Sequence, residues 1–244
     1  MANWSDPRAS AAPYAASGAD TRSASYDAGL RSYMLSVYNY MASGVLLTGI
    51  VAMLFASWSG APALLSSPLR WVLMLAPLGF VLVLSFGIHR LSTAAAQGLY
   101  WAFAVVMGLS MASIFLVFTG ASIATTFFAT AAAFAGLSLY GYTTKRDLSA
   151  FGTFLIMGVV GILVASLINL FVQSSGLQLV ISFIGVLLFA GLTAYDTQKI
   201  KETYYQVAGT DFVGKAVVMG ALSLYLDFVN MFTFLLQFMG VRRD

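Results

Sequence analysis

AVVMGALSLYLDFVNMFTFLLQFMGV, residues 216–241, contains a single formal charge, Asp227, in 26 residues. A run of that length and apolarity is long enough to cross a bilayer, which takes roughly 20 residues of helix. An ionised carboxylate near the centre of such a span costs about 2.5 to 3.5 kcal/mol on insertion scales. An acid kept at that cost is read as functional. A second acid, Asp196, closes the preceding apolar stretch in Leu192-Thr193-Ala194-Tyr195-Asp196-Thr197-Gln198-Lys199-Ile200.

The rest of the chain has the same character. Hydrophobic residues make up 60% and charged residues 9% of its 244 positions, and residues 91–144 and 148–195 carry no charge at all. Each of those stretches accommodates two membrane helices, so the composition excludes a soluble core. The apolar runs do not alternate, which excludes a membrane barrel. The expected fold is therefore all-α, a bundle of seven transmembrane helices over residues 32–244, preceded by a disordered tail over residues 1–31. That tail is rich in Ala and Ser, its three Arg are balanced by three Asp, and it lacks the apolar core of a signal peptide. The alternative for the tail is an interfacial anchor through Trp4 and Tyr14.

Spans are expected at Tyr33–Trp58, Leu69–His89, Gln97–Phe118, Ala121–Tyr142, Ala150–Gln173, Gln178–Thr197 and Lys215–Met239, separated by turn-forming or charged segments. With the N-terminus in the cytoplasm, nine of the twelve Lys and Arg residues fall on the cytoplasmic side, and only Arg70, Arg242 and Arg243 fall opposite. The bias favours that orientation. The terminal Arg242-Arg243 pair fits it poorly, so a re-entrant last segment is the alternative. The same scatter of basic residues over span ends argues against a nucleic-acid partner despite the net charge of +3.

A hairpin turning near Gly209-Thr210-Asp211 brings Asp196 and Asp227 to similar depth, since they lie 13 residues before and 16 residues after that turn. Two carboxylates in a low-dielectric site cannot both ionise cheaply, so they share a proton and titrate as a pair. Fully ionised, they offer the oxygen ligands that a hard cation such as calcium prefers, in a number suited to transient coordination. The bland alternatives are an interfacial Asp196 offset by Lys199 and Lys201, and a purely structural buried Asp227. On a helical wheel Ser223, Asp227, Asn230 and Gln237 form one polar stripe, which places the last helix inside the bundle and makes Ser223 and Asn230 candidates to line a pathway. Interhelical hydrogen bonding is the alternative for such groups.

Arg90 ends the second span on the side of Asp196. It is read either as a snorkelling interface residue or as an ionic latch on the pair. His89, the only histidine, precedes it as an interfacial residue. The absence of cysteine removes thiolate chemistry and disulfides. No phosphate-binding loop or zinc helix is written in the chain, and a single histidine disfavours triad chemistry, so no cofactor is expected. Gly161 and Ala165 have the spacing that permits close helix packing.

The segment Ala221-Leu222-Ser223-Leu224-Tyr225-Leu226-Asp227-Phe228-Val229-Asn230-Met231-Phe232 closely resembles the signature of the Bax inhibitor-1 family of membrane proteins. Tyr195-Asp196-Thr197-Gln198-Lys199-Ile200 resembles its partner motif in the sixth span, and Lys145-Arg146-Asp147-Leu148-Ser149 resembles the loop before the fifth. The resemblance implies a bundle with the last helix central and a proton-sensitive calcium leak governed by an aspartate pair, which maps onto Asp196 and Asp227. It implies a latch arginine that matches Arg90. The segment Glu202–Gly214, read as a loop, is longer than in some members. The expected function is a pH-sensitive cation leak with calcium as the transported ion, in a bacterial inner membrane, with the bilayer, protons and calcium as partners. The rival is a non-conducting modulator that binds other membrane proteins. Acid–base hydrolysis by the paired aspartates is a third reading, and the chain is expected not to be an enzyme.

Overall fold

The computed structural model describes the backbone of residues 14–243 and the side chains of residues 27–243. Those residues form helices α1 Tyr14–Ser57, α2 Ala61–Ser66, α3 Leu69–Gly87, α4 Thr93–Met111, α5 Ser113–Val117, α6 Gly120–Thr143, α7 Ser149–Val172, α8 Ser175–Val207 and α9 Val213–Met239. Seven segments are long and apolar enough to cross a membrane, with α4 and α5 together making one of them. The protein is an integral membrane protein built as a seven-helix bundle.

Helix starts follow local chemistry. Ser92, Thr119 and Ser174 each accept a hydrogen bond from the backbone N–H three residues on, at 3.1, 3.3 and 3.2 Å, and so satisfy donors the helix leaves orphaned. Between α8 and α9 the chain reverses through Gly209 at φ +78°, a left-handed conformation that glycine adopts without penalty.

Two boundaries differ from expectation. Helix α8 runs to Val207, so the segment read as a loop over Glu202–Gly214 shrinks to residues 208–212. Charges at Lys199, Lys201 and Glu202 end the apolar run there but not the helix, because Ile200 is buried and the Tyr204 ring packs on Tyr33 with centroids 5.2 Å apart. Helix α1 begins at Tyr14, inside the stretch expected as a tail, and Leu30 is already buried. Residues 1–13, with Trp4, lie outside the described residues.

Helix α9 is the centre of the bundle. It packs on α1, α4, α6 and α8, while α3 leans on α2 and α4, and α7 on α8. Over an 18-residue apolar stretch of each helix, 67% of α9 is buried, against 11% of α3. Peripheral helices turn large side chains such as Phe86 and Phe171 outward, as lipid contact requires. Close approaches are set by small residues. At Gly108 an added Cβ would come within 2.7 Å of the Thr48 carbonyl, and at Gly141 it would run into the Ala194 carbonyl. Gly161 is not one of these sites: it has open space around it, because its face of α7 points away from the bundle.

The last helix is unbroken over 27 residues. Its C-terminal end meets the turn between α5 and α6, where Thr119 N–H donates to Val241 O at 3.0 Å and Arg243 N–H to Val117 O at 2.9 Å. The segment crosses from one end of the bundle to the other and does not re-enter.

Candidate functional site

The α8–α9 hairpin positions the two acids. Asp196 stands eleven residues before the end of α8 and Asp227 fourteen after the start of α9, depths of about 17 and about 21 Å from the turn. Asp227 is 4% exposed, and its buried Oδ2 has no hydrogen-bond partner among the described residues. Asp196 is half-buried on α8, the helix packed against α9, at a depth close to that of Asp227. Lys199, three residues on and exposed, holds its ammonium 5.9 Å from the centre of the Tyr195 ring. Neighbouring polar groups on α8 are already engaged: Thr193 and Thr197 donate to the carbonyls of Phe189 and Thr193, both at 2.8 Å. An orphaned carboxylate oxygen in the middle of a bundle is expensive unless a proton or a cation answers it. Among the described residues no third acid, histidine or cysteine joins the pair in a metal-binding group.

The other candidates occupy different surroundings. Ser223 and Asn230 are half-buried on α9, and the Asn230 Nδ2 donates back to Leu226 O at 2.8 Å. Gln237, at the far end of the stripe, accepts from Gln178 Nε2 at 2.7 Å. Asn169 Nδ2 donates to Gln178 Oε1 at 3.1 Å, so amides tie α7, α8 and α9 together at the end opposite Gly209. Arg90 is not brought to the pair. It is exposed in the turn after α3 and makes no ion pair with either aspartate. The His89 ring stacks on Phe212 at 5.4 Å, which places that turn beside the start of α9, about 21 Å in depth from Asp227.

One participant was not foreseen. Gln198, two residues after Asp196, accepts from Leu148 N–H through Oε1 at 2.8 Å and donates from Nε2 to Arg146 O at 2.8 Å. Lys201 donates to Tyr142 O at 2.8 Å, where a cation complements the C-terminal end of α6. The motif around Asp196 and the loop Lys145–Ser149 are thus one contact. Their separate similarity to family motifs was visible, but the pairing was not.

Fold and site together define a polytopic helical membrane protein whose central helix carries a buried acid, with a second acid at similar depth on its hairpin partner. A family model described as Inhibitor of apoptosis-promoting Bax1 matches residues 30–244, and the chain belongs to that family, the Bax inhibitor-1 family. It is 46% identical to an uncharacterised protein of Rickettsia prowazekii, over 92% of this chain and 95% of that one. It is 45% identical to an uncharacterised protein of Caulobacter vibrioides, over 93% and 95%. Similarity to the inner membrane protein YbhL of Escherichia coli is 46% identity over 88% of this chain and 94% of the relative.

Proposed function

We propose that the protein is a pH-sensitive cation leak, with calcium as the transported ion and the Asp196–Asp227 pair as proton sensor and transient ion site. The observation that carries this reading is the orphaned Oδ2 of Asp227 on a helix packed against the one that carries Asp196 at similar depth. A proton shared by the pair quiets their repulsion; its loss pushes α8 and α9 apart and leaves two carboxylates facing a cation. Ser223 and Asn230 are assigned to the path, and Arg90 is the candidate latch that biases one state. The proposed setting is a bacterial inner membrane, in keeping with the Escherichia coli relative. The N-terminus faces the cytoplasm, in keeping with the basic bias. No catalytic role is assigned to the pair.

The rival, a non-conducting modulator of other membrane proteins, draws on the burial of Asp227, which is walled off as the helices now stand. Calcium flux against pH in liposomes containing only this protein separates the two. Flux that changes with pH and is lost or locked in Asp227→Asn supports the leak. Absence of flux from folded protein at every pH leaves the modulator reading in the lead.

A further inference from the structure

Helices α1 and α6 both pack on α9 but hardly on each other, and the seam between them is open. A hollow of about 560 Å³ lies between Arg31, Tyr38, Phe134, Leu139 and Tyr142. It shares Tyr38 and Phe134 with a second hollow of about 290 Å³ that reaches Leu46 and is walled by Phe228 of α9. Together they form a crevice whose length from Arg31 to Leu46, fifteen residues along α1, is about 22 Å. That exceeds half of the roughly 30 Å hydrocarbon core. The walls are apolar, with Leu139 and Leu46 64% and 65% exposed. A crevice of this kind offers water few polar partners, and in a bilayer the matching material is a hydrocarbon chain.

The mouth has the opposite character. Arg31 is exposed and in no ion pair among the described residues, Asp27 one turn earlier included. Lys201 of α8 touches one of the lining residues, its ammonium 5.4 Å from the centre of the Tyr142 ring. A guanidinium with free donors above an apolar slot matches a phosphodiester carrying an acyl chain. We infer that this crevice is a binding site for an anionic phospholipid, with one acyl chain between α1 and α6 and the phosphate at Arg31. Its occupant lies against Phe228, the residue after Asp227, yet the inference does not depend on ion conduction.

The test uses delipidated full-length protein in detergent, titrated with phosphatidylglycerol or phosphatidylcholine, with bound lipid counted by native mass spectrometry. Phosphatidylglycerol should bind more tightly. Arg31→Gln should weaken it about fivefold, toward the phosphatidylcholine level, as expected for one basic residue at a headgroup, while Arg31→Lys retains most of the preference. Ala135→Trp fills the crevice from an exposed position on its wall and should expel both lipids while helical circular dichroism and monodisperse elution are kept. Leu139→Trp serves if that variant misfolds. Equal binding of the two lipids, or phosphatidylglycerol unaffected by Arg31→Gln, overturns the inference. So does lipid retention unchanged by the Trp variants, which would mark annular lipid only.

Discussion

Gln198 accepts a hydrogen bond from the backbone N–H of Leu148 at 2.8 Å, which fastens the turn before α7 to α8 two residues beyond Asp196. The same side chain holds Arg146 O, so one amide satisfies a donor and an acceptor of the loop. Any movement of α8 at Asp196 therefore pulls on the α6–α7 connection.

Gln198→Ala leaves the N–H of buried Leu148 without a partner. The expected cost is about 1–3 kcal/mol, seen as a lower midpoint of thermal unfolding in detergent. Gln198→Glu keeps the acceptor and loses the donor, so it should fall between wild type and Ala. Equal melting of all three proteins would show that the bond does not restrain the loop.

Under the proposed function a shared proton makes the two acids act as a unit. Asp196→Asn and Asp227→Asn are each expected to remove most of the pH dependence of calcium flux, and the double variant should add little. Full additivity of the two effects in reconstituted protein would separate the carboxylates and end the sensor reading.

Arg90→Gln tests the latch. If Arg90 approaches the pair in one state, losing its charge makes carboxylate ionisation harder and moves the midpoint of pH-dependent flux to higher pH. Arg90→Lys keeps the charge without the bidentate geometry and should shift it less. An unchanged profile in Arg90→Gln returns the residue to the exposed, snorkelling role its position in the turn after α3 suggests.

Outside the membrane, Asp147 Oδ1 accepts from Ser149 N–H at 2.8 Å, and hydrogen bonding to Ser149 holds this carboxyl below its usual value of 3.8. A group with a lowered folded-state value contributes stability that is present above the unfolded value and is lost as pH falls through the folded one. Wild type should thus exceed Asp147→Asn in thermal stability by a small margin near neutrality. That margin should vanish in acid below the ordinary aspartate range, as followed by melting against pH.

Orientation is checked with reporters. A fusion after Arg146 should face the cytoplasm and one at Ser174 should face the opposite side, because the basic residues gather at the ends joined to Arg146. The reversed pattern would invert every assignment of side made under the proposed function.

The hydrophobic runs alone mark out seven helices long enough to cross a bilayer, because helix length against hydrocarbon thickness and the cost of unsatisfied backbone exclude a soluble core and an open sheet. They also single out Asp227, since one acid in 26 apolar residues needs a reason to be there. The polar stripe around it locates α9 inside the bundle. Where α8 ends was hidden, because charges that close a membrane run do not stop a helix whose Ile200 is buried and whose Tyr204 packs on another helix. Gln198 was equally hidden: its partners, Leu148 and Arg146, are fifty and fifty-two residues away. The lipid-facing side of Gly161 and the exposed position of Arg90 likewise depend on how α7 and α3 are rotated against their neighbours. Apolar periodicity does not encode that rotation when every face of a helix is apolar; only side-chain packing between helices sets it.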